Sequence, residues 1–368
     1  MKHSKRIIAG GALLLTGVCA QAQFTPGDLV VLQDGTGSSA LTSASTAIFL
    51  DEFGTSPSGF VTSFAIPTTG AGELVNSGSA TSEGQISLSA DGQSVVVSGY
   101  NTGTGVASIA STSSSTVPRG VATVNYNGVY TLQGTTTSFS GNNIRSGTTD
   151  GNGNFWAVGA NSGVVYLNSS GSSPVSTNST NNRLIQDIGG NLFFSTGSGS
   201  TRGIYEVIGT PNTAPVTATS FINTSVLGSV SPYGFAFNSS MTVAYIADSD
   251  AYTTSSGFGG IEKWEFNGTS WAFQYSLPTD GVGADGLAVN FSGADPVIYA
   301  TSGDGTSLFA ITDTGSSATD TLLDTAGTDE AFRGLTFAPQ AVPEPAALAL
   351  LAVGFPGAYW FLRRNRKA

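Results

Sequence analysis

Between residues 23 and 341 the apolar positions fall in short runs of four to six, each cut off by Gly, Asp or Asn. No stretch holds apolar residues at helical spacing for three turns, so the pattern predicts strands throughout. The runs come in pairs around a polar turn. "QISLSADGQSVVVSGY" (85–100), "GVATVNYNGVYTLQG" (120–134), "RSGTTDGNGNFWAVG" (145–159) and "RLIQDIGGNLFFSTG" (183–197) share this form. "YGFAFNSSMTVAYIAD" (233–248) and "DGLAVNFSGADPVIYATSGD" (285–304) repeat it. The turns carry Asp-Gly, Asn-Gly, Gly-Gly-Asn or Asn-Ser-Ser, which tolerate the backbone angles of tight hairpins. Each unit is therefore read as a β-hairpin.

Copies begin roughly 25–50 residues apart, which leaves room for two further strands per unit, the size of a propeller blade. "FRGLTFAP" (332–339) is a first strand with no second after it, and "GDLVVLQDG" (27–35) is a second with no first before it. Joined, they make a seventh copy and close a ring without free edges. The expectation is an all-β, seven-bladed β-propeller over residues 23–341, with a stacked or multi-sandwich β arrangement as the alternative. The repeat resembles those of NHL-like propellers, with "DGNGNFWAV" (150–158) the nearest copy.

The two ends differ from this body. Lys2, Lys5 and Arg6 precede an apolar stretch, and Ala20-Gln21-Ala22 then fits a small-x-small cleavage site. Residues 1–22 therefore read as a secretory signal peptide, cut between Ala22 and Gln23. The single Cys (Cys19) and the single His (His3) both lie inside it. The exported body is left without disulfides, thiol nucleophiles or histidine ligands. Charge sharpens as well. Of 13 basic residues three belong to the leader and four to the tail, leaving six; 23 of 24 acids stay, for a net −17. So acidic a surface argues against nucleic acid and anionic lipid as partners. An apolar content of 39% is enough to build a core rather than leave the chain disordered.

The tail, residues 342–368, holds a 17-residue apolar run from Ala346 to Leu362, followed at once by Arg363, Arg364, Arg366 and Lys367. As a helix the run reaches roughly 26 Å, a short transmembrane helix (346–362) with its basic stop in the cytoplasm. Gly354, Pro356 and Gly357 weaken it as a permanent anchor, although an ordinary single-span anchor is the alternative. Val342-Pro343-Glu344-Pro345, the apolar run and the Arg-rich end together resemble the PEP-CTERM sorting signal of Gram-negative bacteria. The resemblance implies Pro343, Glu344 and Pro345 as a recognition element for an exosortase-type transpeptidase. It also implies delivery to the cell surface or extracellular matrix, with exopolysaccharide or biofilm as surroundings.

Candidate chemistry in the body is sparse. Asp150, Asn152 and Asn154 stand at the spacing with which a calcium loop begins, but Asn161 occupies the place of its bidentate Glu. Asp248 and Asp250 are alternate residues that could offer hard oxygens to Ca²⁺. Turn hydrogen bonding, in which Asp and Asn bond their own backbone in hairpins, is the favoured reading of both groups. In "IEKWEFNGTSWAFQYSLP" (261–278), alternation puts Trp264 with Phe266, and Trp271 with Phe273 and Tyr275, either for sugar stacking or for packing between blades. The function expected is a structural or binding role at the surface, not an enzyme and with no cofactor. A Ca²⁺-assisted carbohydrate-active or lactone-hydrolysing enzyme is the alternative.

Overall fold

The structure, a computed structural model, describes residues 23–55, 58–197, 202–253, 255–279 and 281–341. Six four-stranded antiparallel sheets follow one another around a central channel. Blade I takes its innermost strand, Ala331–Phe337, from the far end of the chain and adds Leu29–Asp34, Ile48–Thr55 and Ser58–Ala65. Blade II is Ser87–Leu88, Ser94–Tyr100, Arg119–Asn125 and Tyr130–Thr136; blade III is Ile144–Thr149, Phe155–Gly159, Val164–Asn168 and Gly171–Ser176. Blade IV is Asn182–Ile188, Asn191–Thr196, Gly203–Val207 and Thr219–Asn223. Blade V is Pro232–Phe237, Val243–Asp248, Gly260–Phe266 and Trp271–Leu277. Blade VI is Ala284–Asn290, Val297–Ser302, Ser307–Thr312 and Asp320–Thr325. A two-stranded ribbon, Ser45–Thr46 with Asn76–Ser77, joins long loops of blades I and II.

The terminal strands pair as expected: Leu29 faces Phe337, Val31 faces Leu335 and Asp34 faces Ala331. The expected number of blades is corrected from seven to six. The copy at 120–134 is the outer hairpin of blade II and shares its sheet with the copy at 85–100. Two features disguise this. The innermost strand of blade II is only two residues long, and the connection between its second and third strands, residues 101–118, is long enough to look like a boundary. The expected transmembrane helix finds no counterpart in the structure: among the described residues no helix is long and apolar enough to cross a membrane. Residues 346–362 lie outside them, as do Ala22, Pro343, Glu344, Pro345, Arg363, Arg364, Arg366 and Lys367.

The runs of consecutive apolar residues now have a cause. A blade is covered on both faces, so successive side chains enter different cores. Val30 and Leu32 pack with Val95, Val97 and Ala122 of blade II, while Leu29 and Val31 pack with Ala288 and Leu308 of blade VI. The same division gives one apolar cluster at each of the six junctions. At roughly 25 cal/mol per Å² of apolar area buried, these junctions supply the stability of the fold with no disulfide among the described residues, whose sequence holds no Cys.

Candidate functional site

The innermost strands all start at the same end of the channel. There each blade contributes one polar side chain from the same strand position: Gln85, Arg145, Arg183, Tyr233, Asp285 and Arg333. Contacts run around the whole ring. The backbone N–H of Gln85 donates to the carbonyl of Arg145 at 3.0 Å. The Ile185 N–H, two residues beyond Arg183, donates to Ser146 Oγ at 3.3 Å. The Arg183 guanidinium lies 4.4 Å from the centre of the Tyr233 ring. Glycines bring the remaining strands close. A Cβ at Gly234 would lie 2.8 Å from the Asp285 carbonyl, and one at Gly286 2.7 Å from the Arg333 carbonyl. A Cβ at Gly334 would stand 2.6 Å from Gln85 Cα.

Charge at this mouth is unevenly paired. Arg333 Nε donates to Asp34 Oδ2 at 2.9 Å, and Asn76 Nδ2 donates to Asp34 Oδ1 at 3.1 Å. Arg145 donates instead to Asn181 Oδ1 at 2.7 Å and the Asn182 carbonyl at 3.2 Å. Among the described residues neither Arg145 nor Arg183 forms an ion pair. Burial, reinforced by the neighbouring charge of Arg183, lowers the Arg145 pKa to about 10. Asp285 is 3% exposed and burial pushes it up to about 7, against the pull of Ser249, Arg333 and Arg183. Glu83, beside the ring, is raised to about 7 by burial although Tyr100 Oη (2.5 Å), the Ser77 N–H (2.8 Å) and Asn143 donate to it. Four ring atoms are buried without a hydrogen-bond partner: Gln85 Nε2, Arg145 Nε, Arg183 Nε and Asp285 Oδ1. Buried polar atoms are rarely left so, which makes the ring the candidate site for a polar ligand.

Below the ring the channel turns apolar, with a cavity of about 190 Å³ between Leu88, Leu184, Phe235, Leu287 and Leu335. A larger groove of about 550 Å³ lies on the opposite face, among Gln93, Asn125, Tyr126, Gln133 and Ala341, with Asp91 its one charged residue. Both ends of the described chain reach that opposite face. Gln340 N–H donates to the Gly92 carbonyl at 2.8 Å, and Gln23 Nε2 donates to Asn127 Oδ1 at 2.8 Å.

The residues singled out from sequence are placed as follows. Asp150 accepts from the N–H groups of Asn152 (2.8 Å) and Asn154 (3.3 Å), and from Asn154 Nδ2 (2.8 Å); Tyr166 Oη donates to Asn154 Oδ1 at 2.7 Å. They form a hairpin turn far from the mouth. Asp248 and Asp250 are not side by side. Asp248 is buried, Asp250 is exposed, and the Asp250 N–H donates to Asp248 Oδ1 at 3.0 Å. Among the described residues no three His, Cys, Asp or Glu side chains cluster as a metal centre. Trp271 packs among Phe221, Phe237 and Phe266 at the junction of blades IV and V, as inter-blade packing requires. A bulge between Lys263 and Trp264 turns Tyr275 to the other face, where it donates to Asp313 at 2.7 Å. The ring itself was missed. Five of its six residues open their hairpin copies and the sixth, Arg333, follows Phe332, but that column is visible only once the blades are aligned.

No known protein family and no curated protein matches the chain in sequence. Solved structures do match it. A chain of a nidogen/laminin complex is 12% identical, covering 84% of this chain and 98% of its own length, with a TM-score of 0.52. A periplasmic gluconolactonase of Pseudomonas aeruginosa is 12% identical over 81% of this chain and 83% of its own, with a TM-score of 0.46. A 6-phosphogluconolactonase homologue from Bacteroides fragilis is 14% identical over 81% and 82%, with a TM-score of 0.45. At such identity the likeness is one of fold. A fold shared with structures described as gluconolactonases gives no ground for the expectation of a non-enzyme, which is withdrawn. The lack of histidine in the body is no ground for it either, because carboxyls such as Asp285 and Glu83, both raised by burial, belong to the residue types that carry acid–base chemistry. Ring by ring and strand by strand, the chain is a six-bladed β-propeller with a charged channel mouth.

Proposed function

We propose that this is an exported propeller whose channel mouth binds a small, acidic, hydroxyl-rich molecule of the sugar-acid class. The observation that carries the reading is the pair of ring arginines, Arg145 and Arg183, held at the mouth of an acidic body with no carboxylate partner. A ligand carboxylate supplies that partner, since guanidinium groups bind carboxylates through charge-assisted hydrogen bonds. The remaining unpartnered atoms, Gln85 Nε2 and Asp285 Oδ1, suit hydroxyl groups. Calorimetric titration with gluconate and with glucose tests this. Gluconate binds and glucose does not, and replacing both Arg145 and Arg183 by Met weakens gluconate roughly 10-fold or more. Equal binding of the two sugars, or an unchanged affinity in the variant, overturns the reading.

A second reading rests on Asp285. A carboxyl near pKa 7 with one free oxygen can take a proton from water as that water attacks the carbonyl carbon of a sugar lactone. The ring C–O bond then breaks, the released oxygen is protonated, and the product carboxylate rests on Arg145 and Arg183. Asp285→Asn abolishes turnover of gluconolactone while leaving gluconate bound. Turnover that survives the substitution removes Asp285 from the chemistry.

The tail belongs to the same proposal as an address. Residues 343–345 and the basic cluster at 363, 364, 366 and 367 direct processing by an exosortase-type enzyme to the cell surface or matrix. The described chain supports this reading: Gln23 and Ala341 reach the face opposite the mouth, so a tether there leaves the mouth open to the surroundings. Replacing Pro343-Glu344-Pro345 by alanines, or neutralising the four basic residues, leaves the protein unprocessed or misplaced. Normal processing of both variants contradicts the address.

A further inference from the structure

Blade V buries two carboxyls against each other beside two hydroxyls that have no hydrogen-bond partner. Asp248 ends its second strand, Glu262 lies in the third and Ser276 in the fourth, with Thr279 just beyond. All four are almost fully buried, at 0%, 1%, 4% and 1% exposure. Register puts the first three on one face, because Asp248 pairs with Gly260, two residues before Glu262, and Glu262 pairs with Ser276. Gly260 adds no side chain, and Thr279 Oγ1 fills the space over it, 3.3 Å from where a Cβ would stand.

Half of each carboxyl is already used. Asp248 Oδ1 accepts from the Ser231 N–H at 2.8 Å and the Asp250 N–H at 3.0 Å, and Glu262 Oε2 accepts from Trp264 Nε1 at 2.9 Å. The remaining carboxyl oxygens, Asp248 Oδ2 and Glu262 Oε1, have only the hydrogen bond between the two carboxyls, while Ser276 Oγ and Thr279 Oγ1 have no partner. None of these is a nitrogen, and among the described residues no basic side chain pairs with either acid. Burial, then mutual repulsion, holds Glu262 well above the usual carboxylate range. Two carboxylates and two hydroxyls, all hard oxygens, match the chemistry of a hard divalent cation.

We propose that blade V holds a Ca²⁺-class cation between Asp248, Glu262, Ser276 and Thr279. The ion neutralises the two buried acids and ties the second, third and fourth strands together at the mouth end of the blade. The site is distinct from the sugar-acid ring and does not depend on a ligand there.

Trp264 supplies the probe, because its indole touches a ligand of the ion. Terbium added to the whole protein at pH 7 gives emission sensitised by tryptophan, and Ca²⁺ displaces it. Ca²⁺ at about 100 times its dissociation constant raises the unfolding midpoint by about 5 °C. Trp264→Phe loses the sensitised emission but keeps the midpoint shift. Glu262→Gln, folded by circular dichroism, loses both, and Asp150→Asn loses neither. Wild-type protein with no sensitised emission and no Ca²⁺-dependent shift overturns the site and leaves the two carboxyls sharing a proton.

Discussion

At the residue scale the protein keeps its few charged side chains for specific tasks. Three of the six basic residues of the body stand in one ring around the channel mouth. Lys263 serves elsewhere, 3.0 Å from Asp313, whose carboxylate also accepts from Tyr245, Tyr275 and the Gly315 N–H. That knot joins blades V and VI and holds Asp313 below its ordinary range through the three side-chain donors, which outweigh burial. Asp313→Ala leaves Lys263 and two tyrosines short of a partner. It is expected to cost about 3 kcal/mol, measured by chemical denaturation. The titrating acids set the pH dependence. Glu83 and Asp285 have pKa values of about 7 in the fold, against about 4 when unfolded. Between those values the folded protein binds more protons than the unfolded chain, so stability falls as pH rises from about 4 to 7. Asp313 works in the opposite sense, and its contribution is lost below about pH 4. Thermal unfolding from pH 4.5 to 8 should show a falling midpoint, and Glu83→Gln should flatten that fall. Little of this was legible in the sequence. Asp248 and Glu262 stand fourteen positions apart, and only strand register joins them. Arg145, Arg183 and Arg333 were in view as letters, yet their convergence depends on the number of blades.

Elements were more legible than residues. Alternation and turn chemistry locate the hairpins because a tight turn demands Gly, Asn or Asp wherever it occurs. What local pattern cannot say is which hairpin is inner and which outer. Hence 120–134, the outer pair of blade II, was read as a blade of its own. The bulge at Lys263/Trp264 escaped for a related reason: one extra residue reverses the faces beyond it without any signal in composition. The inner strands also carry a constraint of close approach. At Gly334 a Cβ would stand 2.6 Å from both Gln85 Cα and the Ile86 nitrogen, which are backbone atoms that cannot swing aside. Gly334→Ala should destabilise the protein by roughly 1–3 kcal/mol and loosen the ring between blades I and II. An unchanged denaturation midpoint would show that the strands there are less tightly packed than described.

For the whole molecule, closure is the organising fact. Ala331–Phe337 forms the innermost strand of blade I and completes a sheet begun some three hundred residues earlier. Removing it exposes the edge of Leu29–Asp34, opens the apolar clusters on both sides of blade I and deletes Arg333 from the ring. A chain ending at residue 330 should therefore lose cooperative unfolding and aggregate, as sedimentation would show. Closure was readable because the two incomplete hairpins at the ends complement each other. The ring of six polar side chains, which gives that closed scaffold its chemistry, was not readable from either end alone. A crystal structure of the protein grown with gluconate tests the account most directly. It should show six blades and a gluconate carboxylate within hydrogen-bonding distance of Arg145 and Arg183, with a hydroxyl on Asp285. A mouth that holds only water, with both guanidiniums turned onto protein carbonyls, would contradict it.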